Sequence, residues 1–144
     1  MSYQPTNLLG DSVRDCATRY AAIATSIREL VPGTNFNALD FGCYGPYFGL
    51  RLAYDFRAHV TAVDDEPFLL QNYAVPARGS LSVVPSRLNP MDLNRLGHHR
   101  VTLALSVLHH LPAWRAYIQV LHANSTILYV ETAHPDEDLP EAIA

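Results

Sequence analysis

Four polar side chains stand at or just after the ends of short apolar stretches. Asp40, Asp64 and Glu131 each close such a stretch, and Ser106 follows another. If these stretches are parallel strands, their carboxyl ends meet at one edge of a sheet, where open α/β sheets bind their ligands. The four side chains are therefore predicted to line one binding rim.

A glycine-containing segment follows Asp40 and is the sharpest local signal. Gly42 comes directly after an apolar stretch, so the backbone can turn tightly there and approach a ligand, and the next helix directs free N–H groups toward it. Asp64 lies about 20 residues beyond Gly42, the interval at which an acidic side chain holds a ribose diol. Asp65 stands alongside. The pattern predicts a ligand with a ribose.

The interval alone fits a nicotinamide dinucleotide equally well. Asp40 argues against that reading, because an acidic residue just before the glycine turn repels a pyrophosphate.

Two histidines follow the fourth apolar stretch, close to Ser106. A histidine at this place can take a proton from a hydroxyl near neutral pH, so His109 and His110 are candidate general bases. The alternative is that one caps the following turn and the other is solvated. No metal site is predicted from these residues and His98 and His99, because adjacent histidines point in different directions and no carboxylate or thiolate is spaced to join them.

Alternating apolar stretches and helical periodicities indicate the elements that must position these residues. Strands are predicted over 38–41, 59–63, 81–84, 101–105 and 126–130, and helices over 13–30, from Pro46, from Asp65, over 91–96 and from Pro112. Strands alternating with helices are typical of βαβ units. We therefore predict an α/β fold, a doubly wound and mostly parallel sheet of five strands in the order 3-2-1-4-5, with helices on both faces.

Composition narrows the class of protein. The 144 residues are expected to form one domain with an arm over 1–10 and a loose acidic tail over 133–144. The net charge of −4 and the lack of a Lys/Arg run argue against nucleic acid as a partner. Cys16 and Cys43 have no metal-like spacing and predict reduced thiols in a cytoplasmic protein. No signal peptide and no membrane-spanning stretch is predicted.

Taken in order, these segments resemble the motifs of the class I S-adenosylmethionine-dependent methyltransferases. The stretch LDFGC at 39–43, followed by Tyr47 and Phe48, is similar to the first motif, and VTAVD at 60–64 to the second. LALSVLHHLP at 103–112 is similar to the fourth motif of the small-molecule branch, and ILYVET at 127–132 to the fifth strand. The resemblance covers about residues 30–132.

The resemblance implies a Rossmann-like fold, S-adenosyl-L-methionine as cofactor, and methyl transfer to a small molecule or to an acceptor presented by a partner. Asp40 would hold the amino-acid end of the cofactor and Asp64 its ribose. The remaining predicted cofactor-binding residues are Gly42, Cys43, Tyr44, Gly45, Asp65 and Ser106.

The sequence also departs from the family pattern. Tyr44 and Pro46 stand where the family has glycine, and Ser86, Arg87 and Leu88 stand where an acidic residue commonly meets the adenine amine. The sequence ends soon after the fifth strand, which predicts an abbreviated domain without the antiparallel strands of the family. These departures favour an alternative, a non-catalytic relative that binds the cofactor or acts through protein contacts, with the fifth-strand edge as a possible homo-oligomer contact.

Overall fold

The computed structural model describes residues 16–43, 46–65, 78–105 and 107–131, with His109 described by its backbone alone. The predicted N-terminal arm, the helix predicted from Asp65 and the predicted acidic tail lie outside the described residues, as do Tyr44, Gly45 and Ser106.

Five parallel strands form one sheet. They are β1 (Asn37–Phe41), β2 (His59–Val63), β3 (Ser80–Val84), β4 (His99–Leu105) and β5 (Ser125–Glu131). Their order in the sheet is β3-β2-β1-β4-β5, and every paired set of neighbours is parallel. This confirms the predicted fold class and strand order. Because β1 is central, its Asp40 stands opposite Ala62 of β2 on one side and Leu103 of β4 on the other.

Four helices and one short 3₁₀ turn accompany the strands within the described part of the chain. They are α1 (Cys16–Leu30), α2 (Tyr47–Phe56), α3 (Pro90–Arg95) and α4 (Trp114–Ala123), with a 3₁₀ turn at Leu108–His110. The Asn89 side chain caps α3 by accepting the Asp92 N–H at 2.8 Å. None of these helices is long and apolar enough to cross a membrane.

Each face of the sheet carries its own apolar core, because successive side chains of a strand point to opposite faces. On one face, α1 and α2 pack on the strands through a cluster that includes Tyr20, Ile27, Leu52, Val60 and Leu103. On the other face, α3 and α4 pack through a cluster that includes Leu39, Phe41, Leu93, Ile118 and Leu121. The sheet is covered on both sides, as a parallel sheet requires.

Candidate functional site

The turn after β1 is built around Gly42. Its φ is +68°, a left-handed conformation that favours glycine, and a Cβ there would overlap the Val107 side chain, at 2.6 Å from the Val107 Cβ. The N–H groups of Gly42 and Cys43 both donate to the Val63 carbonyl, at 2.8 and 3.2 Å. The segment after β1 is thereby tied to the end of β2, and the segment after β4 packs directly on it.

A cleft opens along the carboxyl ends of the strands. Its empty volume is about 400 Å³, which includes space open to solvent. The segments after β1, β2, β3 and β4 all contribute to its walls, which are formed by Phe41, Gly42, Val63, Asp64, Asp65, Ser86, Arg87, Leu88, His110 and Leu111. Four of the predicted site residues therefore come together here, namely Gly42, Asp64, Asp65 and His110.

Two adjacent carboxylates follow β2 at the wall of this cleft. Asp64 is half-buried, and its N–H donates to the Val84 carbonyl of β3 at 3.2 Å, which fixes its backbone at the sheet edge. Asp65 is exposed and forms an ion pair with Arg87, with 2.9 Å between Oδ2 and the guanidinium. The pair links the segment after β2 to the segment after β3.

Asp40 lies behind the turn, on the side of the sheet that α2 covers. Its side chain is buried, its Oδ2 has no hydrogen-bond partner, and a backbone hydrogen bond from Gly49 of α2 reaches the carboxyl group. Burial, and then the negative charge of Asp64, raise the pKa of Asp40 to about 8. Asp40 is not among the described residues that line the cleft, although it interacts electrostatically with Asp64, which does.

Cys43 lies beside Asp40 rather than on the cleft wall. It is buried and packs with Ala62, Leu81 and Val83. Burial, with a further contribution from the charges of Asp40 and Asp64, raises the pKa of its thiol well above the usual value. The thiol is therefore protonated at neutral pH and acts as a small apolar group.

Of the two predicted bases, the structure describes the side chain of His110 and only the backbone of His109. His110 is exposed at the cleft wall, with its N–H donating to the Val107 carbonyl at 3.0 Å. His98 and His99 stand at the opposite end of β4, and within the described ranges no three potential metal ligands cluster together.

Glu131 ends β5 as predicted, but it is bound to α1. The Arg19 Nε donates to Glu131 Oε2 at 2.7 Å, and a second guanidinium nitrogen contacts Oε1. Glu131 is not among the described residues of the cleft wall. The cleft residues Phe41, Val63 and Leu111 were not among the predicted site residues. Ser86, Arg87 and Leu88 were noted only as a departure from the family pattern, and the positive charge of Arg87 shortly after β3 was a signal that could have placed them in the site.

Neither the family models nor the curated proteins gave a match to this chain. Solved structures did. The fold of monomeric WbdD superposes with a TM-score of 0.67 at 21% identity, covering 92% of this chain and 35% of that one. Magnesium protoporphyrin IX methyltransferase (ChlM) from Synechocystis PCC 6803, solved with bound S-adenosylmethionine, gives 0.59 at 16%, covering 94% and 76%.

This chain shares its fold with solved structures that include a methyltransferase. A third similar structure, the [4+2]-cyclase SpnF, has a TM-score of 0.62 at 18% identity, covering 86% of this chain and 54% of that one. At these identities the likeness is one of fold, and this chain spans only about a third of the WbdD chain. Open α/β sheets bind their ligands outside the carboxyl ends of the strands, which is where the cleft lies.

Proposed function

We propose that this chain binds S-adenosyl-L-methionine as a single domain and transfers its methyl group to a small molecule or to an acceptor presented by a partner. The observation that carries the proposal is Asp64, which stands at the wall of the cleft one strand away from the Gly42 turn. ChlM, solved with S-adenosylmethionine, and the N-methyltransferase NodS, solved with S-adenosyl-L-homocysteine, have the same fold.

In this proposal the ligand is held at two places. Asp64 accepts hydrogen bonds from the ribose hydroxyls, with Asp65 beside it, and each charge-assisted bond contributes about 1.5–3 kcal/mol. Asp40, beneath the turn, takes the amino-acid end through backbone amides or a water. Gly42 lines the cleft between these two places. Cys43, Tyr44, Gly45 and Ser106 are proposed as further cofactor-binding residues from their positions in the sequence alone.

The bound cofactor would supply an activated methyl group on a sulfonium. The protein then has to align an acceptor with that group and exclude competing water, and alignment of this kind lowers a barrier by about 7–11 kcal/mol in well-oriented cases. His110 is proposed as the base that takes the proton of an acceptor hydroxyl, which its exposed position at the cleft wall supports. His109 is proposed for the same role from its position in the sequence.

Titration calorimetry tests the ligand. Wild type is expected to bind S-adenosylmethionine and S-adenosylhomocysteine in the micromolar range and NAD much more weakly. Asp64→Ala should weaken the first two by about 10- to 100-fold. If wild-type protein gives no heat with either ligand, the proposal is overturned. If it binds NAD more tightly than S-adenosylmethionine, the cofactor is a nicotinamide dinucleotide instead.

A methyl-release assay tests the base. His110→Ala and His109→Ala are compared with His98→Ala, which changes a histidine at the other end of β4. Loss of about 10²- to 10⁴-fold in kcat for one of the first two, with a rise in the remaining rate toward high pH, supports a base. Unchanged turnover in both removes these histidines from the mechanism.

A second candidate is a non-catalytic or differently reacting protein with the same fold. The cyclase SpnF has the fold, so the fold does not determine which reaction is catalysed.

The exposed edge of β5 supports self-association. Along β5 the side chains of Ile127, Leu128, Tyr129 and Val130 are only half-buried, and β4 is the one described strand that pairs with β5. An unpaired strand edge favours pairing with a second copy. A concentration-dependent mass in light scattering supports this homo-oligomer, and a constant monomer mass excludes it.

A cytoplasmic location belongs to the same proposal. It is supported by Cys16 and Cys43, which are both buried and not joined in a disulfide.

A further inference from the structure

Arg87 lies at the wall of the cleft, and its segment is held on both sides. The N–H of Ser86 donates to the Val84 carbonyl at 2.9 Å, and the carbonyl of Leu88 accepts a hydrogen bond from the Tyr117 hydroxyl at 2.9 Å. The Tyr117 ring in turn stacks on Phe41, another cleft residue, at 5.6 Å between centroids. Arg87 is therefore carried by a loop that is anchored to both β3 and α4.

The guanidinium itself is oriented by its ion pair with Asp65, the residue after the proposed ribose carboxylate. Its side chain remains 68% exposed, so its planar face is accessible. A guanidinium that contacts a carboxylate through one of its terminal nitrogens keeps its face available for stacking on a flat π system.

The chemistry of the cleft favours recognition of a base by its face. The carboxylates among the described lining residues are Asp64 and Asp65, of which the first is assigned to the ribose and the second engages Arg87. Leu88 and Leu111 supply apolar surface in the same cleft. A purine between leucine side chains and a guanidinium would bury its face without needing a carboxylate for its exocyclic amine.

We propose that Arg87 is a specificity residue that stacks on the adenine of the ligand, held in place by Asp65. This inference rests on the proposed function, because it assumes an adenosyl ligand with its ribose at Asp64. Base stacking by arginine needs the planar guanidinium, so a lysine at the same position should not replace it.

The experiment is a calorimetric titration of S-adenosylhomocysteine, and of adenosine, into wild type, Arg87→Ala, Arg87→Lys and Arg95→Ala. Arg95 is the matched control, since its ion pair with Asp92 is 69% and 42% exposed, against 68% and 41% for Arg87 and Asp65, and it lies on α3 rather than on the cleft wall. Arg87→Ala is expected to weaken both ligands about 3- to 30-fold. Arg87→Lys should lose most of the same affinity, and Arg95→Ala none.

Each other outcome has a definite meaning. If wild type binds neither ligand, the proposed function fails. If wild type binds and all variants bind equally well, or if Arg87→Ala binds more tightly, the proposed function stands and the stacking role is wrong. If Arg87→Lys keeps full affinity while Arg87→Ala loses it, a positive charge is required rather than a stacking plane, and the inference is overturned.

Discussion

The two ends of the same parallel sheet are both polar, yet they differ in how their polar groups are used. At the amino ends of the strands, the Asn37 side chain donates to the His98 carbonyl at 2.8 Å and accepts the Arg100 N–H at 2.9 Å. The His59 ring nitrogens lie 2.9 Å from Ser80 Oγ and 2.6 Å from Asn35 Oδ1. These groups form short hydrogen bonds with one another and tie neighbouring strands together.

At the carboxyl ends, the ion pair of Asp65 with Arg87 also joins neighbouring segments, but here the polar groups border an open cleft as well. Asp64, Asp65 and His110 line a cleft, and Asp40 behind them keeps a buried oxygen without a hydrogen-bond partner. Buried polar atoms are nearly always hydrogen-bonded, so an exception marks a site where stability has been given up. A histidine or an acidic residue at a strand end is therefore not informative by itself. What it contacts distinguishes a structural edge from a binding edge.

The largest effect expected from breaking the binding edge is that of Gly42→Ala. The new Cβ would overlap Val107 and would require a left-handed backbone, so the free energy of unfolding should fall by about 3–5 kcal/mol. Gly97→Ala is the control at the other edge, since Gly97 has a φ of +79° but no atom within 4 Å of the added Cβ. It should cost about 1–2 kcal/mol in urea unfolding. Equal losses in the two variants would show that the contact with Val107 does not matter.

The next effect is the pH dependence contributed by Asp40. Its pKa is raised from 3.8 to about 8, so the folded protein retains a proton that the unfolded chain releases near pH 4. Stability is therefore lost as the pH rises through this window. Asp40→Asn removes that loss, and its free energy of unfolding relative to wild type should increase by about 2–4 kcal/mol between pH 5 and pH 8.

Asp92→Asn, on the exposed side of α3, is the control for the same series of urea titrations. A difference between Asp40→Asn and wild type that stays constant from pH 5 to pH 8 would contradict a buried, protonated Asp40.

The smallest effect belongs to the structural edge. Asn37→Ala removes two hydrogen bonds between β1 and the start of β4 and should lower the free energy of unfolding by about 1–2 kcal/mol. Because the residue lies at the opposite end of β1 from Gly42, affinity for S-adenosylhomocysteine should not change. A loss of ligand affinity in this variant, measured by calorimetry at a temperature where it is fully folded, would erase the distinction between the two edges.

The strands and their order in the sheet could be predicted from the sequence, because the apolar stretches and their alternation with helices leave few topologies besides a doubly wound fold. Strand ends were predicted within about two residues. β4 begins at His99 rather than Val101, because the His99 N–H donates a hydrogen bond to the Asn124 carbonyl at 2.8 Å and extends the pairing with β5. Periodicity carries no signal for such a contact.

The candidate site was predicted in part. The spacing predicted that Gly42 and Asp64 lie at the same cleft, and they do, because each follows one of two neighbouring strands. Spacing did not reveal that Glu131 pairs with Arg19, because the helix that carries Arg19 lies more than a hundred positions away in the chain. Nor did it reveal that Arg87 pairs with Asp65 at the cleft wall, on a loop that Tyr117 of α4 anchors through the Leu88 carbonyl. The roles assigned to all of these residues in binding or catalysis stay predictions, as do the places of Tyr44, Gly45 and Ser106.

The most direct test of the central claim is a titration of S-adenosylhomocysteine followed by backbone amide chemical shifts. The account predicts shifts concentrated at the carboxyl edge, at Gly42, Val63, Asp64, Arg87 and His110. It predicts none at the amino edge, at Asn37, His59, Ser80 and Ser125. Shifts concentrated at the amino edge, or no shifts at millimolar ligand, would contradict it.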